Sequence, residues 1–89
     1  MSLNLSKNNI GDVGAQALAS SQTLKKLKKL NLNFNRIEDD GARALAKSSI
    51  MDNLESLKLG QNKIGTEGAN ALNASKKLKN LTHPIFGFY

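Results

Sequence analysis

Apolar and polar residues alternate over Leu30-Asn31-Leu32-Asn33, with Leu27 before the run and Ile37 after it. Period-two alternation predicts a short strand with one buried face, and Asn35, breaking the apolar register, marks a turn. The arrangement returns every 27 residues: Leu3, Leu30, Leu57; Leu5, Leu32, Leu59; Asn8, Asn35, Asn62; Ile10, Ile37, Ile64. A second block keeps the same step, with Gly14, Gly41, Gly68; Ala15, Ala42, Ala69; Ala17, Ala44, Ala71; and Leu18, Leu45, Leu72. Leu24, Met51, Leu78 and Leu27, Leu54, Leu81 fill the apolar places before each strand.

The alanine-rich blocks predict helices over Val13 to Ser20, Asp40 to Lys47 and Glu67 to Ala74. Asp12, Asp39 and Thr66 stand at the N-cap register, where an oxygen can accept from free helix N–H groups. Glycine in a first helical turn is poor on propensity, so Gly14, Gly41 and Gly68 imply close approach of helix to sheet. Ala17, Leu18 and their equivalents are expected on the apolar face.

One strand and one helix per unit, repeated without insertion, predict an α/β solenoid of about three repeats. Residues 1–82 form the repeats. Residues 83–89 begin a fourth register and leave it: Pro84 stands where leucine is expected, Phe86 takes the next inward place and Tyr89 replaces the asparagine. Proline donates no ladder hydrogen bond, which fits a terminating strand or a cap remnant. At the other end Leu3 and Leu5 already occupy strand places, so the first repeat is expected to show an open apolar end. Either a longer protein, a partner or Met1 folded over that end would cover it.

The unit L-x-L-x-x-N-x-I-G-x-x-G-A-x-A-L, read at Leu3 to Leu18 and Leu57 to Leu72, resembles the ribonuclease-inhibitor-like class of leucine-rich repeats. The middle copy departs from it with Glu38 in place of glycine. The resemblance implies a curved horseshoe, here a short arc, with parallel strands on the concave face and helices on the convex one. It also implies a structural ladder formed by Asn8, Asn35 and Asn62 and a function in binding other proteins. Members include immune receptors, activators of a GTPase, ribonuclease inhibitor and bacterial effectors delivered into host cells. The class does not identify the partner.

With 89 residues the chain is one small domain near the size where a core is marginal. It has no cysteine, which removes disulfides and thiolate metal sites and favours a reducing compartment. No apolar run reaches membrane-spanning length, and Met1 leads straight into strand residues, so no signal peptide is expected. A cytoplasmic location follows; delivery of a bacterial effector into a host is the alternative, because the lysine and asparagine bias is common in AT-rich genomes.

Thirteen Lys and Arg against seven Asp and Glu give a net charge of +6. The lysines gather at Lys25, Lys26, Lys28, Lys29 and at Lys76, Lys77, Lys79, and the acids at Asp12, Glu38, Asp39, Asp40 and Glu67. Cations near helix C-termini and anions near N-termini are what the helix dipole favours, so the segregation has a structural account. No aromatic-interleaved basic element accompanies it, and nucleic acid is not the expected partner.

Inward strand places belong to packing, so outward ones carry the binding potential. Stacking aligns Ser2, Lys29, Ser56 and His83; then Asn4, Asn31 and Lys58; then Ser6, Asn33 and Gly60; then Lys7, Phe34 and Gln61. Lys29, Asn31, Asn33, Phe34, Ser56, Lys58, Gln61 and His83 are the candidate partner-binding residues. Phe34 would be the anchor, as an aromatic among polar neighbours, or would fold sideways over its own loop.

Catalysis has little material. His83 is the only histidine, no serine has a recurring base, and no metal ligand set or cofactor motif exists. Arg36 alone could reach a nucleotide held by a GTPase. The expectation is therefore a non-enzymatic module that binds a protein with an acidic surface through the concave strand face, as an inhibitor or regulator. Assistance to a GTPase through Arg36 and an immune- or effector-type regulator are the alternatives. No membrane partner is expected, and the open ends give a route to self-association.

Overall fold

The computed structural model describes residues 2–21, 24 and 26–75. Three units follow one another: β1 (Ser2–Asn4) with α1 (Asp12–Ala19), β2 (Lys29–Asn31) with α2 (Asp39–Ala46), and β3 (Ser56–Lys58) with α3 (Thr66–Ala74). A 3-10 turn at Ser49–Asn53 leads from α2 into β3.

The strands form an open parallel sheet in the order β1-β2-β3. Ser2 pairs Lys29 and Lys29 pairs Ser56, Leu3 pairs Leu30 and Leu30 pairs Leu57, and Asn4 pairs Asn31 and Asn31 pairs Lys58. The spatial register thus equals the sequence period. Each strand has only three residues, yet backbone bonding runs on into the turns, from Leu5 N–H to Asn31 C=O at 2.8 Å and from Phe34 N–H to Gly60 C=O at 2.9 Å. Among the elements, α1 packs on α2 and α2 on α3, so each element touches its own counterpart in the next unit.

The core lies between sheet and helices. Leu27, Leu30, Leu32, Ile37, Leu45, Leu54, Leu57, Leu59 and Leu72 are fully enclosed, each contributing about 1.5–3 kcal/mol relative to exposure. Helices of eight or nine residues are marginal alone, and this shared core is what holds them. The first unit is less well covered. Leu5, Ile10, Leu18 and Leu24 are only partly buried, whereas Leu32, Ile37 and Leu45 are shielded on both sides. A shallow apolar hollow bounded by Leu5, Ile10, Gly14, Leu18 and Leu24 marks this end.

Several sequence expectations change. Each helix begins one residue earlier than predicted, because Asp12, Asp39 and Thr66 take helical positions and Gly11, Glu38 and Gly65 become the N-caps. None of these caps makes a side-chain bond. Ala17 faces solvent, while Ala15, Ala42, Leu45 and Ala46 form the buried stripe; an i, i+3, i+4 spacing admits the latter set and excludes the former. The chain measures 26 × 25 × 24 Å. The segment 83–89, and with it His83 and Pro84, lies outside the described residues, as do Met1, Lys25, Lys76, Lys77 and Lys79.

Candidate functional site

Asparagine side chains tie the turns together. Asn35, 7% exposed, accepts through Oδ1 from the N–H groups of Asn8 and Ile10, both at 2.9 Å. Its Nδ2 donates to the carbonyls of Leu5 and Leu32 at 3.0 Å and Asn33 at 3.3 Å. Asn62 repeats this one unit on, accepting from Ile37 N–H and donating to Leu32, Leu59 and Gly60. One amide therefore satisfies backbone groups of two successive turns that no strand ladder reaches. Asn8 differs: among the described residues its side chain donates only to the Ser6 carbonyl.

The turns that these amides hold have unusual backbones. Lys7, Phe34 and Gln61 all adopt the left-handed region, at φ 61°, 59° and 59°. They belong to turns, so the column expected on the strand face is displaced to its lip. Phe34 is 53% exposed, and the Lys7 ammonium stands 5.7 Å from its ring centroid, within reach of a cation–π attraction. A bulky residue in this region is a strained choice that asparagine or glycine would relieve.

The strand face beside that lip is a hollow of about 260 Å³, with Ser2, Asn4, Lys29, Asn31, Ser56 and Lys58 in its walls. Lys29 is exposed, Asn31 and Lys58 half-buried. Ser56 is only 7% exposed, although it lines the same hollow. Asn33, whose N–H donates to the Asn31 side chain, is half-buried, and Gln61 is exposed in the third turn. Seven of the eight expected contact residues are thus located, six of them with exposed or half-exposed side chains. Arg36 is exposed in the loop after β2, with its N–H bonded to the Ile10 carbonyl at 2.8 Å, and does not border this hollow.

The opposite edge is acidic. Asp12, Glu38, Asp39, Asp40 and Glu67 meet Arg43 and Lys63 there, and Arg43 pairs with both Asp40 and Glu67. Lys28 lies 3.9 Å from Glu55, an exposed pair of small energetic weight. Most of these carboxylates are engaged in structure. Asp12 accepts from Glu38 N–H at 2.7 Å, and Asp39 from Gly65 N–H at 2.7 Å and Gly68 N–H at 3.0 Å.

Sequence reasoning missed a third ladder. Ser48 and Ser75 donate their hydroxyls to the carbonyls of Ala19 and Ala46, the last residues of the preceding helices. Ser21, Ser48 and Ser75 stand at the 27-residue step, a signal that was present but not read.

Among the described residues no group of His, Cys, Asp and Glu is arranged to hold a metal ion, and no helix is long and apolar enough to cross a membrane. Comparison with protein families matches a model of leucine-rich repeats in two copies over residues 2–45 and a model of the leucine-rich repeat over residues 52–72. No curated protein gives a significant match.

Proposed function

Because the chain belongs to the leucine-rich repeat family, whose domains generally mediate protein–protein interaction, we propose that it is a non-enzymatic module that binds a partner protein through the strand face and its lip. The more specific assignments, to the ribonuclease-inhibitor-like class, to inhibition or regulation of the partner and to the cytoplasm, belong to this same reading. Phe34 carries it. The ring is half exposed on a backbone strained toward other residues, and strain retained without a packing reward points to use. Three ladders hold the surrounding turns and helix ends, so a partner meets pre-set side chains and less ordering entropy is lost on binding. Lys29, Asn31, Asn33, Lys58 and Gln61 supply polar contacts around the anchor.

Affinity capture tests this reading. Wild-type protein retains a partner that the Phe34→Ala, Lys58→Glu variant loses, with the two proteins equally folded. Equal capture by both places the interface elsewhere.

A further inference from the structure

The hydrogen bonds on this face settle which way its amides point, and from them we infer that the face recognises oxyanions, in particular the carboxylates of an acidic segment of a protein. The inference rests on the binding reading above and names its ligand chemistry.

Asn4 Oδ1 accepts from Ser6 N–H at 3.0 Å and from the Ser6 hydroxyl at 2.8 Å. Asn31 Oδ1 accepts from Asn33 N–H at 3.0 Å, and Asn33 Oδ1 from Gly60 N–H at 2.7 Å. Only an oxygen can accept from a backbone N–H, so each amide orientation follows from its partner. What each side chain has left is its NH₂ group, and none of the three has an acceptor among the described residues. Lys29 adds a cation with no ion pair among them, and no carboxylate is in the described walls of the hollow.

The face is therefore rich in free donors, while each of its amide oxygens already accepts at least one bond. A ligand that brings donors or a positive charge leaves the NH₂ groups unpaired; a carboxylate accepts at both oxygens and gains charge-assisted bonds. The hollow, about 260 Å³, lies below the roughly 300–1,000 Å³ of small-molecule sites. It suits a projecting acidic side chain better than a free cofactor. Nucleic acid fits less well, because single strands call for successive stacking rings; among the described residues the exposed ring is Phe34, already faced by Lys7.

The test is titration of the ¹⁵N-labelled 89-residue chain, reading the side-chain NH₂ signals of Asn4, Asn31 and Asn33. Oligoglutamate is expected to shift these signals in a salt-dependent way, a phosphoserine peptide to compete at the same signals, and oligolysine to leave them still. Asn31→Asp keeps an acceptor for the Asn33 N–H but replaces the outward donor with a negative oxygen, so the backbone spectrum persists while affinity falls about tenfold or more. Lys29→Glu acts in the same direction.

Signals unmoved by oligoglutamate, wild-type affinity in Asn31→Asp, or tighter binding of oligothymidylate than of oligoglutamate each overturn the inference. A captured protein partner lost with Phe34→Ala but kept with Asn31→Asp ends it too, while leaving the binding-module reading intact.

Discussion

Asp39 is the first residue of α2, yet its carboxylate closes the N-terminus of α3, accepting from Gly68 N–H at 3.0 Å. A first-turn side chain leans toward its helix N-terminus, and in a parallel stack that direction meets the free N–H groups of the neighbouring helix. Ser75 does the converse at the other end, donating to the last carbonyl of α2. Helix ends are thus capped between repeats.

Cap loss is expected to be graded by bond count. Asp39→Ala removes two backbone partners and lowers stability by about 1–2 kcal/mol. Asp12→Ala removes a single bond to Glu38 N–H and costs less. Asp39→Asn retains an acceptor and falls between wild type and Asp39→Ala. Urea unfolding monitored by circular dichroism ranks the three; equal midpoints for Asp39→Ala and wild type refute the inter-repeat cap.

Gly41 has little room for a methyl group. A Cβ there would stand 2.6 Å from Asp12 Oδ1, 2.9 Å from Ile37 Cγ2 and 3.1 Å from Ala15 Cβ. The glycine serves close approach of helix to helix, where the sequence suggested helix to sheet. Gly41→Ala gains up to about 1 kcal/mol of helix propensity and loses about 1–3 kcal/mol to crowding, for a net destabilisation. Removing the carboxylate in Asp12→Ala, Gly41→Ala relieves part of the clash, so the double mutant is more stable than the two single effects predict.

The asparagines differ although their motifs match. Asn35→Ala strands buried backbone groups at about 1–3 kcal/mol each, enough to unfold a domain of this size. Asn8→Ala loses one exposed bond to Ser6 and changes stability by less than about 1 kcal/mol. Thermal melts in which both variants behave alike are incompatible with the observed network.

Relief of backbone strain separates stability from binding at the lip. Phe34→Asn is expected to leave stability unchanged or raise it by up to about 1 kcal/mol, since asparagine tolerates the left-handed region better, while partner capture declines. A marked loss of stability instead assigns the ring to local packing.

The fold was legible because the period is. Leu30, Leu57 and Leu32, Leu59 become sheet neighbours and a continuous core once the 27-residue step is laid out, and Asn35 was readable as an inward amide. The candidate surface was legible only in part. Asn31 and Lys29 fall on the strand face as their alternation requires, but Phe34 left the strand column when its turn took positive φ. Ser56, polar and at an outward register, became buried.

The sequence alone determined the repeat, its register and the inward residues, because a fixed step with period-two alternation admits one parallel stacking of such units. Tertiary structure decided what lies across the gap between units: Asp39 reaching the next helix, Ser48 the previous one, Asn33 the Gly60 N–H, and so the outward NH₂ groups. These choices depend on the lateral offset of neighbouring helices and turns, a distance in space that the spacing of residues along the chain does not encode.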